Sequence, residues 1–212
     1  FTMPGGSEDS MFYSYNVGPV HIISISTEFY FYVNYGFVQL FEQYKWIEKD
    51  LIEANKPENR KLQPWIVVLG HRPPYCSNDN DDCNLEALYL REGIPIFGLG
   101  LDKLLYKYRV DLAVWAHEHS YERTWPVYQS QVMNGTTAAP YTDPKATVHI
   151  ITGSAGCKER HDHFRKAQPF SAFHSDDYGY SRMTVYNSTH LYWTQVSDDQ
   201  GGKIIDSMML IK

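Results

Sequence analysis

The sequence predicts an α/β fold in stacked layers, and three observations carry that prediction. Trp65-Ile66-Val67-Val68-Leu69 is an unbroken apolar run, the pattern of a strand covered on both faces. Segment 36–54 repeats Phe37, Leu40, Phe41, Tyr44, Ile47 and Leu51 at helical spacing, giving an amphipathic helix of about five turns. Beyond residue 125 the pattern changes to short strand-like runs separated by turns.

Taken in order, 11–17 and 19–26 read as adjacent strands joined at Gly18-Pro19. The amphipathic helix follows and stops at Lys56-Pro57, where the ring of proline cannot continue it. The strand at 65–69 leads through an acidic loop into shorter helices at 84–91 and 101–108, and then a strand at 110–115. Alternating strands and helices imply a layered α/β arrangement. Strands are then expected at 125–128, 146–152, 180–186, 190–196 and 203–211, with hairpin connections at Asn187-Ser188 and 198–202. The tail is therefore predicted to be mostly antiparallel β.

The composition sets bounds on function. With 212 residues, 43% hydrophobic and 21% charged, the chain has ample material for a buried core. A 15% aromatic share, including 17 tyrosines, suits broad sheets. The net charge of -6, with no Lys/Arg cluster, argues against a nucleic-acid partner. No apolar run approaches the roughly 20 residues that span a bilayer. The start, Phe-Thr-Met-Pro-Gly-Gly, has neither initiator Met nor signal peptide and reads as an internal segment.

Cys76 and Cys83 flank a polar loop containing Asp79, Asn80, Asp81 and Asp82, and a short-range disulfide is preferred over two free thiols. Cys157 is then either free and buried or paired outside the chain. Asn134-Gly-Thr136 and Asn187-Ser-Thr189 are glycosylation sequons. Together these favour a secretory route.

Three histidines are the candidate chemistry. His71 follows the strand at 65–69, and His117 and His119 follow the strand at 110–115. Residues two apart in extended backbone share a side, so His117 and His119 project together. Neutral imidazole is a common ligand for zinc and iron. The alternative is a polar loop whose histidines bond to backbone carbonyls.

Gly70-His71-Arg72-Pro73-Pro74-Tyr75-Cys76-Ser77 and Ala116-His117-Glu118-His119-Ser120-Tyr121-Glu122-Arg123 resemble the later metal-binding motifs of the purple acid phosphatases, within the calcineurin-like metallophosphoesterases. Phe1-Thr-Met-Pro-Gly-Gly and His21-Ile-Ile-Ser-Ile-Ser resemble the stretch after that family's Gly-Asn-His-Glu motif. Ser171-Ala172-Phe173 and Asp176-Asp177-Tyr178-Gly179-Tyr180 resemble its C-terminal region, so the likeness spans nearly the whole chain.

The resemblance implies the later half of a four-layer α/β/β/α sandwich, with residues 1–145 from the phosphoesterase domain and 146–212 completing it. It implies His71 and His117 on a divalent metal (zinc, iron or manganese), His119 on iron(III), and a phosphate monoester as substrate. The family's aspartates, its iron-binding tyrosine, its asparagine and the histidine of Gly-Asn-His-Glu belong to earlier motifs without a counterpart here. The loop that carries further histidines in some plant members reads Asn80-Asp81. An incomplete sandwich is expected to self-associate through an uncovered face. Two competing expectations are a non-catalytic secreted glycoprotein that keeps the fold as a binding module, and a related phosphoesterase acting on diesters or nucleotides.

Other residues receive quieter expectations. Glu118 faces away from the histidines toward a surface or outer contact, and Tyr121, Glu122 and Arg123 brace the loop, with an Arg123–Glu122 surface pairing of little energetic weight. Arg72 either faces a substrate phosphate or is solvated. His161 and His163 belong to a solvated loop, and His21, His149, His174 and His190 to packing or surface.

Overall fold

The computed structural model describes residues 2–156, 160–164 and 166–212. Cys157 lies outside them. The order is β1 (Tyr13–Val17), β2 (Val20–Ser24), α1 (Val33–Ala54), α2 (Pro57–Leu62), β3 (Trp65–Leu69), α3 (Ala87–Glu92), β4 (Gly93–Ile94), β5 (Gly98–Leu99), α4 (Leu101–Lys107) and β6 (Leu112–Trp115). It continues with β7 (Tyr121–Thr124), β8 (Val127–Tyr128), β9 (Gln131–Val132), β10 (Val148–Thr152), β11 (Ser171–Ser175), β12 (Gly179–Val185), β13 (His190–Ser197) and β14 (Lys203–Ile211).

Seven strands form one mixed sheet in the order β1-β2-β3-β6-β10-β7-β11. Its centre, β2-β3-β6-β10, is parallel, which places helices in the crossovers between strands. Ile66, Val68, Ala113, Trp115 and Ile151 point to the helix side, where Leu40, Ile47 and Leu51 of α1 meet Leu90 of α3 and Leu101, Leu104 and Leu105 of α4. Val67, Leu112, Val148 and Ile150 point the other way, against Leu191, Trp193, Met208 and Leu210 of the antiparallel β12-β13-β14 sheet. The result is a helix layer, a large sheet and a small sheet, with each apolar face of the large sheet covered.

Two strands of the large sheet escape the sequence patterns. β7 and β11 are short and polar, yet they extend the large sheet beyond β10. They hold charge inside because that charge is paired. Arg123 donates from Nε to Asp206 Oδ2 and from Nη2 to Asp206 Oδ1, both at 2.7 Å. Tyr121 Oη donates to the same carboxylate at 2.8 Å. The expected Arg123–Glu122 surface pairing is therefore corrected: adjacent residues in a strand point to opposite faces. Arg123 reaches Asp206 on β14, while Glu122 accepts from the Ser77 amide at 2.8 Å and the Ser77 hydroxyl at 2.6 Å.

His149 on β10 is completely buried and accepts a hydrogen bond from Trp115 Nε1 at 3.0 Å. Burial first, and the Arg91 charge second, push its pKa down to about 3. An unfolded histidine titrates near 6.5, so below that pH the unfolded chain takes up a proton that the folded chain refuses. The stability from this neutral ring is complete above pH ~6.5 and is lost as pH falls toward 3. Urea unfolding at pH 7 and pH 4.5 should show an acid loss to which His149 contributes about 2 kcal/mol. His149→Gln should shrink that loss, and an identical pH dependence in both proteins contradicts the assignment.

Candidate metal centre

β3 and β6 pair in parallel with Leu69 opposite Val114. The pairing runs past both strand ends: Gly70 N donates to Val114 O at 3.0 Å and Ala116 N to His71 O at 2.9 Å. His71 and His117 therefore leave the sheet side by side. Gly70 permits this because an added Cβ would lie 2.5 Å from the buried Trp115 ring. Gly153 closes the other side, where a Cβ would meet Glu118 O at 2.1 Å.

His117 Nδ1 and His71 Nε2 are 3.0 Å apart, and the two rings meet edge to face at 4.8 Å. Burial, followed by the neighbouring His117, lowers the pKa of His71 and favours the neutral ring a metal requires. His117 has φ 62°, and Glu118 N donates back to Ala116 O at 2.8 Å, forming a tight γ-turn. A left-handed histidine is a costly conformation of the kind found where geometry serves a site.

His119 stands slightly apart. Its amide donates to Asp162 Oδ2 at 2.6 Å, and its Nδ1 is 3.8 Å from the same oxygen. Among the described residues, His71, His117 and His119 do not form a donor group whose atoms all lie within 4.8 Å of one another; Asp82, His117 and Glu118 do. Cys76, Cys83 and Glu118 also cluster, but the sulfurs are joined in a disulfide, as preferred from the sequence.

That disulfide shapes a loop strapped across the His-x-His segment. Asn78 Nδ2 donates to Ser120 Oγ at 3.0 Å and to Asp162 O at 2.8 Å. Asn80 Nδ2 donates to Glu118 Oε2 at 2.6 Å. The expectation that Glu118 faces away from His117 and His119 is corrected: a carboxylate oxygen of Glu118 lies within 4.8 Å of a His117 nitrogen, and the side chain meets Asn80 rather than a surface. It is 1% exposed, and burial, followed by the charges of Asp162 and Asp82, raises its pKa to about 7.

Arg72 is not a solvated guanidinium but is held among three carboxylates. Its Nε reaches Glu28 at 3.2 Å, its Nη1 reaches Asp82 at 2.7 Å, and Glu86 completes the cluster. Burial and the hydrogen bond to Asp82 raise Glu86 to about 7. Asp82 is held low, although burial opposes this, by its hydrogen bond with Glu86 and the charges of His117 and Arg72. His161 packs on Tyr178, and His163 pairs with Asp176 at 3.3 Å.

Sequence reasoning missed Asp82 as the neighbour of His117 and Arg72 as the ion-pair partner of Asp82, since nothing local signals a contact across a loop closed by a disulfide. Opening the Cys76–Cys83 bridge with a Cys76→Ser/Cys83→Ser double variant should lower stability by about 2–3 kcal/mol. It should also speed proteolytic cleavage within residues 77–82. Unchanged unfolding and cleavage in the variant contradict the strapping role.

Residues 2–121 match the family model for calcineurin-like phosphoesterase, and residues 146–207 that for iron/zinc purple acid phosphatase-like protein C. Acid phosphatase type 7 of Danio rerio is 57% identical over 218 residues, covering 100% of this chain and 49% of that protein. The Homo sapiens protein of the same name is 51% identical over 214 residues, covering 100% and 48%. The chain thus spans about half the length of the curated relatives it matches. The solved purple acid phosphatase from yellow lupin (Lupinus luteus) seeds aligns over 100% of this chain and 34% of that one, with a TM-score of 0.74 and 26% identity. With that fold, these two matches and histidines at neighbouring strand ends, the chain belongs to the calcineurin-like phosphoesterases, among the purple acid phosphatases.

Proposed function

We propose that this chain supplies the nitrogen donors of a binuclear centre that hydrolyses phosphate monoesters, iron(III) standing beside a divalent ion of zinc, iron or manganese. The contact that carries the reading is His71 Nε2 to His117 Nδ1 at 3.0 Å, at the ends of adjacent parallel strands. In this reading His71 and His117 hold the divalent ion and His119 the iron.

The donor chemistry fits the divalent ion: imidazole is a common ligand for zinc and iron. It fits iron(III) only in part, because that harder ion favours oxygen ligands and the family's carboxylate motifs have no counterpart within these 212 residues. When bound, the metal pair supplies nucleophile activation and neutralises charge in an in-line displacement. The protein's own part is to fix the imidazoles. The paired strand ends orient His71 and His117, and Asp162 anchors the His119 backbone at 2.6 Å. The complete centre is then a property of the longer protein, and these residues alone hold at most one ion.

An oxidising, secretory location is supported by the Cys76–Cys83 bridge and by the exposed sequon at Asn187. Asn187 Oδ1 accepts from the Thr189 amide at 2.8 Å and the Thr189 hydroxyl at 2.9 Å, which ties the two ends of the sequon together. Asn134 is the second site in this reading, in a half-buried position. No helix among the described residues is long and apolar enough to cross a membrane.

Aryl-phosphate hydrolysis tests the reading in two proteins, the 212-residue chain and one extended to the length of its relatives. The extended protein should turn over substrate in a metal-dependent way, and His117→Ala should reduce kcat at least about a hundredfold. The 212-residue chain should show no turnover. Robust turnover with two tightly held metals in the short chain contradicts the division of ligands. An inactive extended protein leaves the fold as a binding module.

A further inference from the structure

The His117 ring presents two nitrogens to two different environments. Nδ1 faces His71 at 3.0 Å, and Nε2 faces Asp82 Oδ2 at 3.3 Å. Next to it, Glu118 is buried, with Oε2 accepting from Asn80 at 2.6 Å. Its other oxygen, Oε1, is buried without a hydrogen-bond partner among the described residues. A buried carboxylate oxygen left unpaired is costly, so its position calls for a ligand. We propose that Asp82, His117 Nε2 and Glu118 form a further divalent-cation site, which shares His117 with the donor set of His71, His117 and His119 but takes its other ligands from the opposite side of that ring.

Three physical arguments support this site. The first is reach. The three donor atoms lie within 4.8 Å of one another, and ligands at zinc bond lengths sit about 3.4 Å apart in a tetrahedron. Closing around an ion therefore asks for movement on the order of 1 Å. Asp82 can make that movement because it sits in the π-helical turn Asp82–Glu86 at a partly exposed position.

The second argument is charge. Among the described residues, Glu28, Asp82, Glu86, Glu118 and Asp162 gather around this segment, with Arg72 set among them. Carboxylates in such excess attract a divalent ion.

The third argument is tautomer control. Ligation through Nε2 places the His117 proton on Nδ1, where it donates to His71 Nε2 at 3.0 Å. His71 then becomes the partner that orients the imidazole. One nitrogen and two carboxylates suit zinc or manganese. The Cys76 and Cys83 sulfurs do not compete, since they are bonded to each other. The two arrangements share His117 and otherwise draw on different residues, so an ion at this site and the family arrangement make separable demands on Asp82 and Glu118 on one side and His71 and His119 on the other.

The test is calorimetric titration of the chelator-stripped 212-residue chain with zinc alone and with manganese alone at pH ~7, where imidazole is largely neutral. The expected result is one ion per chain. Asp82→Asn and Glu118→Gln should each weaken binding at least about tenfold, and His119→Ala should change it less than about twofold. Near-UV dichroism checks folding. Asp82→Asn, on a partly exposed turn, decides the matter should Glu118→Gln fail to fold. Binding that falls with His119→Ala and ignores Asp82→Asn overturns the proposal, as does the absence of binding to the unaltered chain. Phosphatase activity is not the readout, so failure here leaves the hydrolytic reading standing, and the reverse also holds.

Discussion

The parallel register between β3 and β6 is the constraint on which the rest depends. It sets Leu69 opposite Val114 and continues through Gly70 and Ala116, so that the two polypeptides leave the sheet at the same level. A slip by one residue turns every side chain to the other face. Ile66 and Val68 would then leave the helix layer, and Val67 would leave the small sheet. The packing of two different apolar layers therefore fixes the register, and the register fixes the histidines. Gly70 belongs to the same logic, because the buried Trp115 occupies the space its side chain would need.

The two sheets are tied by a polar contact as well as by apolar packing. Arg123 and Tyr121 of the large sheet converge on Asp206 of the small one. A paired charge buried this deeply is weak evidence of net stability, since desolvation offsets much of its attraction. Its geometric demand is strong, however. Both guanidinium bonds require β7 and β14 to face each other at one height, and β7 directly follows the His-x-His segment. The cysteine-bridged loop acts on the opposite side, through Ser77 on Glu122 and Asn78 on Ser120. The histidine segment is thus held from the sheet below and from the loop above.

Much of this was legible from periodicity. The helix at 33–54 and the strands at 65–69, 148–152 and 203–211 follow apolar spacing closely, because each buries a face that its own sequence declares. The strands at 121–124 and 171–175 did not declare themselves. Tyr-Glu-Arg-Thr reads as a loop because its charges are satisfied by residues 45 and 83 positions away. The site divides in the same way. His71 and His117 were readable as strand-end residues, whereas the approach of Asp82 depends on a folded loop. Strand alternation would place Glu118 away from its neighbouring histidines, but the left-handed turn at His117 breaks that alternation and buries Glu118 within reach of the His117 ring.

The contact between His71 and His117 can be measured directly on the metal-free chain by nitrogen NMR of labelled imidazoles at neutral pH. A hydrogen bond between His117 Nδ1 and His71 Nε2, 3.0 Å apart, predicts a scalar coupling between those two ring nitrogens. Gly70→Ala, which forces Trp115 against the strand end, should abolish that coupling. Two rings without mutual coupling in the folded chain, each titrating as an isolated imidazole, contradict the placement of these histidines by the β3–β6 register.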